Sequence, residues 1–134
     1  MTSNVRNAEE LYAAFARGDI PAVLAMCDPE LQWSQAEGHP YQPDGAAWFG
    51  AQTVLEKLFK RIGSEWEDFM ANIRAIHDAG EYIVVEGRYT GIHKPTSRSL
   101  DAQMCHILRF RNGKLYRFQQ YVDTAQLQAV MVMY

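Results

Sequence analysis

From Phe69 to Val122 the hydrophobic pattern repeats every second residue, and only turn-forming residues interrupt it. The alternating segments are Phe69–His77, Tyr82–Ile92, roughly Leu100–Phe110, and Lys114–Val122. Asp78-Ala79-Gly80-Glu81 separates the first two, and Asn112-Gly113 the last two. Asn-Gly favours the left-handed backbone of tight hairpins. A run of this kind can only be consecutive antiparallel strands with one apolar face, and that face has to be covered.

The cover is written in the first half of the chain. Ser3 or Asn4 can cap a helix in which Ala8, Leu11, Tyr12 and Phe15 recur at helical spacing. Gly18 ends it. Asp19 can cap a second helix, with Pro21 in its first turn and Ala22, Val23 and Met26 on its buried side, closed by Asp28-Pro29. Leu31–Gln35 alternates as a strand. A polar loop from Glu37 to about Asp44 reads as mobile. Val54, Leu55, Leu58, Phe59 and Ile62 mark a third helix, ended by Gly63-Ser64. A last helix starts at Asp123 and turns Leu127, Val130, Met131 and Tyr134 inward.

Helices first and hairpins afterwards give an α+β fold, a single domain over residues 1–134. A strongly curved antiparallel sheet wrapped with the N-terminal helices makes a cone, and the space between sheet and helices is where a pocket forms. The 134 residues, 48% hydrophobic and 22% charged, suffice for one core. A net charge of -3 gives no electrostatic reason to expect nucleic acid or an anionic membrane. Cys27 and Cys105 lack metal-ligand spacing and read as core thiols, with a disulfide left open. The opening Met1–Arg6 carries no apolar leader, so a cytoplasmic location follows by default.

Three phrases in order carry a resemblance over nearly the whole chain: Leu11-Tyr12-Ala13-Ala14-Phe15-Ala16-Arg17-Gly18-Asp19, Asn112-Gly113-Lys114-Leu115, and Tyr121-Val122-Asp123-Thr124. The chain resembles the SnoaL-like and ketosteroid-isomerase-like members of the nuclear transport factor 2-like superfamily. The resemblance implies a cone with a pocket and a homodimer built on the outer sheet face. It leaves the activity open, because the superfamily holds isomerases, cyclases, epoxide hydrolases, dehydratases and plain binding modules.

By that resemblance Tyr12, six residues before Gly18, stands where the isomerase has its oxyanion-stabilising tyrosine. The isomerase's carboxylate base falls on Gln35, which cannot abstract a proton; Glu37 reaches inward only if the loop folds over. His106 matches a histidine of the cyclases, while their aspartate base falls on Gln120. His106 is the one group of that strand titrating near neutrality, and is the candidate acid or base. Asp123 either caps the last helix, with Gln126 three residues on, or sits at the pocket mouth as the best remaining carboxylate.

The ligand-binding candidates are Trp33, Met104, Leu108, Phe118 and Gln120. Their placement depends on the Asn112-Gly113 hairpin. A two-residue turn pairs Phe110 with Leu115 and sets His106 opposite Gln119. A three-residue bulged loop pairs Phe110 with Lys114 and sets His106 opposite Phe118. The bulged form gives the cleaner split, with Met104, His106, Leu108, Tyr116, Phe118, Gln120 and Val122 on one side. His39 and Tyr41 belong to the loop as solvated residues or a lid, His77 and Glu86 face outward, and His93 and Lys94 fall in a solvated turn. The four histidines show no ligand spacing, so no metal is expected, and the reaction class needs no cofactor.

Two functions follow as expectations. One is a pocket for a small, mostly apolar polyketide-, terpenoid- or steroid-like compound, with isomerase- or cyclase-type proton transfer beside a carbonyl. The other is a non-catalytic ligand-binding or dimerisation module, favoured by the amides at both family base positions.

Overall fold

The computed structural model describes residues 3–132. The elements are α1 (Asn4–Ala16), α2 (Ile20–Ala25), β1 (Cys27–Ser34), β2 (Trp48–Phe49), α3 (Ala51–Val54), a π-helical turn (Leu55–Phe59), α4 (Lys60–Glu65), β3 (Trp66–Ala79), β4 (Tyr82–His93), β5 (Arg98–Arg111), β6 (Lys114–Val122) and α5 (Thr124–Met131). The α+β class expected from the sequence is the class observed.

The strands form one open six-stranded sheet in the order β2-β1-β6-β5-β4-β3. The sheet is mixed, which corrects the all-antiparallel expectation. β1 lies parallel to β6, with Trp33 beside Phe118, because the chain must cross the whole fold before β6 arrives. Bend sites occur where the sequence allows them. β3 carries irregularities between Glu67 and Met70 and between Ile73 and Ala75, and bulges bend and twist the strand that holds them. At Gly87 a Cβ would sit 2.4 Å from the Asn72 carbonyl oxygen and 2.8 Å from the end of Met104. Only glycine tolerates that approach.

The helices start as their caps direct. Ser3 accepts from the Arg6 amide at 3.2 Å, and Asp19 from the Ala22 amide at 3.2 Å. Ala8, Leu11 and Ala14 of α1 are buried against the sheet together with Leu31, Ile83, Val85, Leu108 and Leu115. Gly63 does not end the third helical stretch, which runs on to Glu65. Its π turn adds a residue to one helical turn, and Leu58 and Phe59, adjacent in sequence, are both buried there. α5 packs Leu127 and Val130 on Trp66, Tyr89, Leu100, Ala102 and Met104. Thr96 Oγ1 donates to the Val130 carbonyl at 2.7 Å and Arg98 Nη1 to the Ala129 carbonyl at 2.7 Å, which ties α5 to the β4–β5 connection. Tyr134 lies outside the described residues. Among the described residues no helix is long and apolar enough to cross a membrane.

The β5–β6 hairpin follows neither expected register in full. Arg111 pairs with Lys114 and Phe110 with Leu115, so the turn is the two-residue form. Asn112 and Gly113 both have positive φ, 52° and 76°. An irregularity then follows between Arg109 and Phe110, and beyond it His106 stands opposite Gln120 and Leu108 opposite Phe118. The extra residue lies in the strand rather than in the turn. Leu115, Phe118 and Gln120 are buried, while Tyr116, expected inside, lies outside under the guanidinium groups of Arg109 and Arg111.

Candidate functional site

The sheet and helices enclose a cavity with about 70 Å³ open to the centres of water molecules. Most of its wall is apolar: Leu11 and Phe15 of α1, Trp33, Leu58, Phe59 and Phe118 among others. Trp33 and Phe118 stack with ring centres 3.6 Å apart. The parallel pairing of β1 with β6 puts them side by side.

The polar wall has two parts. The first is centred on His106, which is 3% exposed. Its Nδ1 lies 2.6 Å from the Tyr12 hydroxyl of α1, and its Nε2 meets the Tyr89 hydroxyl of β4. Gln120 Nε2 donates to the Tyr89 oxygen at 3.0 Å. Burial alone pushes the His106 pKa down to about 3, so the ring is neutral at pH 7. Burial, first among its causes, raises the Tyr12 phenol well above its usual range, and it also raises Tyr89.

Proton counting fixes what this group offers. Tyr12, the neutral imidazole and Tyr89 carry three protons between them, and two contacts join them. One hydroxyl proton is left over in either tautomer. Gln120 donates to Tyr89, which favours Tyr89 donating to Nε2, Nδ1–H donating to Tyr12, and Tyr12 turning its own proton toward the cavity. Aligned in one direction, the four groups polarise one another.

The second polar part comes from the segment after β1. Gln35 Oε1 accepts from the Trp33 indole at 2.8 Å. Gln35 Nε2 lies 3.2 Å from His39 Nε2, and His39 Nδ1 accepts from the Tyr41 amide at 3.0 Å. Tyr41 donates its hydroxyl proton to Glu65 at 3.0 Å and accepts from the Trp66 indole at 3.0 Å. Burial, and then the nearby Arg61 charge, lower His39 to about 4. Gln35, His39 and Tyr41 all line the cavity.

The structure thus brings together Tyr12, His106, Trp33, Phe118 and Gln120 of the residues singled out in sequence, and leaves three aside. Asp123 caps α5, accepting from the Gln126 amide at 3.1 Å, and does not line the cavity. Met104 is packed over Gly87 and beneath α5. Leu108 is fully buried in the core and is not among the residues that line the cavity. The Glu37–Asp44 loop also departs from expectation. Successive turns fold it, with His39 N bonded to the Ala36 carbonyl and Gln42 N to the His39 carbonyl, and Gln128 Nε2 of α5 donates to the Gly38 carbonyl at 2.6 Å. His39, Tyr41 and Gln42 are buried, and Glu37 stays exposed. His93, expected in a solvated turn, is buried at the end of β4 beside Trp66. His77 and Glu86 do face solvent, 2.7 Å apart. Cys27 and Cys105 are free thiols.

Tyr89 was missed in sequence, although it stands on the same alternating face as Ile83 and Val85. A tyrosine at an inward position next to a glycine-bent strand was the available signal.

Among curated proteins, none matches the chain. Solved structures do. An NTF2-like protein from Burkholderia thailandensis E264 is 28% identical, with a TM-score of 0.92, over 99% of this chain and 100% of that one. An NTF2-like protein from Burkholderia pseudomallei K96243, described as of unknown function, is 26% identical, with a TM-score of 0.87, again over 99% and 100%. A protein with a ketosteroid isomerase-like fold from Catenulispora acidiphila DSM 44928, in complex with trimethylamine, has 18% identity and a TM-score of 0.76, over 97% and 93%. The pattern of the SnoaL-like domain family matches residues 8–118, most of the chain, and the protein belongs to that family.

Proposed function

We propose that the chain binds a small, largely apolar molecule through an acceptor oxygen, a carbonyl in the simplest case, which takes the spare proton of the Tyr12–His106–Tyr89 group. The observation that carries this reading is the proton count: a buried chain of donors ends at the cavity with one hydroxyl proton that its own members cannot use. A buried donor without a partner costs about 1–3 kcal/mol, and a ligand oxygen removes that cost. The cavity volume favours one substituted ring over a steroid-sized skeleton.

Binding without turnover is the better-supported form. Among the described residues, those lining the cavity include no carboxylate, lysine or arginine. His106 has both nitrogens engaged by hydroxyls, and His39 has its one lone pair taken by the Tyr41 amide. A proton abstracted beside the carbonyl has no base ready to receive it. The enzymatic reading, an isomerase-, cyclase- or dehydratase-type reaction, is supported only by the hydroxyl chain, which suits an oxygen gaining negative charge. Assembly as a homodimer through the outer sheet face belongs to the same proposal, supported by the exposed Tyr82 and Tyr121; sedimentation showing only monomer at high protein concentration would remove it.

The test is calorimetric titration of the full chain with 4-isopropylacetophenone, a one-ring ketone. Tyr12→Phe is expected to weaken binding about tenfold, the worth of one buried hydrogen bond, with its fold unchanged by circular dichroism. Equal affinity in the wild type, Tyr12→Phe and Tyr89→Phe would end this reading, since the surplus proton sits on one hydroxyl or the other.

A further inference from the structure

The second polar part of the cavity contains a mismatch that hydrogen-bond chemistry cannot relieve from within. An indole N–H only donates, so the oxygen of Gln35 must face Trp33 and its NH2 must face His39. A backbone N–H also only donates, so His39 Nδ1 is the unprotonated nitrogen and Nε2 carries the proton. Two donors therefore confront each other across 3.2 Å, on residues each 5% exposed. Flipping the amide moves the conflict to Trp33, and protonating His39 adds a donor without removing one. Gln42, behind the cavity wall, offers no acceptor to relieve it: its oxygen is taken by the Gln35 backbone N–H at 2.9 Å, and its Nε2, also a donor, is buried without a partner among the described residues.

We propose that Gln35 and His39 form a second oxygen-binding pole of the cavity, which takes a ligand atom that only accepts hydrogen bonds and so selects small molecules with two acceptor oxygens. An oxygen seated on the cavity side of the pair, about 2.9 Å from each nitrogen, turns their repulsion into two hydrogen bonds. Gln120 joins this pole to the first, since its oxygen accepts from the Ala36 amide at 3.4 Å while its NH2 donates to Tyr89. One molecule lying along the wall has a donor at each end. The position that holds a base in an isomerase thus holds a donor here, and it rewards an oxygen instead of removing a proton. This inference rests on the carbonyl-binding reading above and adds the second contact.

The experiment compares 1,4-diacetylbenzene with 4-isopropylacetophenone, which are alike in shape and differ by one carbonyl oxygen exchanged for a methyl group. Titration calorimetry of the full chain at pH 7 is expected to show the diketone binding about tenfold tighter. His39→Leu should abolish that preference, and His39→Gln, which returns an amide N–H to the place of Nε2, should keep it. Gln35→Glu puts a carboxylate where the NH2 was; it can accept from both Trp33 and His39 and should lose the preference while still binding the monoketone. If His39→Leu does not fold, the Gln35→Glu result decides. Equal binding of the two ketones by the wild type, with its Tyr12 dependence intact, overturns the second pole and leaves the first standing. Failure of both ketones to bind overturns both. A diketone preference that survives in Gln35→Glu overturns the second pole alone.

Discussion

Two buried histidines face the same cavity, and they differ in what holds them. His106 lies between hydroxyls, and a hydroxyl both donates and accepts, so either tautomer of the ring is satisfied. His39 lies between a backbone N–H and a side-chain NH2, neither of which can accept, so one of its nitrogens is always mismatched. The first arrangement passes its surplus proton outward to the cavity as a usable donor. The second stores a repulsion. A buried imidazole is thus stabilising or costly according to its neighbours' chemistry, not its own.

The largest expected effect treats both alike. The unfolded chain protonates each ring near pH 6.5, whereas in the fold burial holds His106 neutral down to about 3 and His39 down to about 4. Below pH 6.5 the unfolded state therefore binds more protons, and stability present above that pH is lost as the pH falls toward 4. Each ring contributes about 1.4 kcal/mol per pH unit, so the fall from pH 6.5 to 5 is on the order of 4 kcal/mol for the pair. Urea melts at the two pH values measure it. A flat profile would mean that water reaches both rings.

Replacement separates the two histidines. His106→Leu strands the Tyr12 and Tyr89 hydroxyls and is expected to cost about 3 kcal/mol. His39→Leu strands the Tyr41 amide but ends the conflict with Gln35, so its cost is expected near 1 kcal/mol or below. Equal losses in urea denaturation at pH 7 would break the contrast.

The same contrast explains what could be read from the sequence. The four long strands, the caps at Ser3, Asp19 and Asp123, and the inward face of α1 follow from local rules of period and capping, and the structure has them. Tyr12 and His106 were legible because each stands in a regular element whose period fixes its face. The register of the hairpin was only half legible: Asn112-Gly113 specifies the turn, but the added residue beyond it depends on how β6 must bend past β1. The second pole was not legible. His39 and Tyr41 sit in a segment without period, whose burial depends on contacts with Glu65 of α4 and Gln128 of α5, distant in sequence. A polar loop that folds inward looks the same in sequence as one that stays out. Met104 and Leu108 were misplaced for a related reason: alternation tells the inner face from the outer, but not which inner residues meet the cavity and which meet α5 or α1.

The smallest effect tests the direction of the hydroxyl chain. If Tyr89 donates to His106, and His106 to Tyr12, then Tyr89→Phe removes the polarisation behind the Tyr12 proton without removing that proton. Cooperative strengthening of about 10–30% per bond is modest, so ketone affinity should fall only about twofold to threefold, well short of the tenfold expected for Tyr12→Phe. The reverse tautomer predicts the opposite ranking, because Tyr89 would then hold the proton that meets the ligand. Titrating both variants with 4-isopropylacetophenone at pH 7 reads the direction from the order of the two losses. A larger loss in Tyr89→Phe would move the first pole from α1 to β4 and leave the surplus of one proton intact, since the count does not depend on which ring nitrogen carries it.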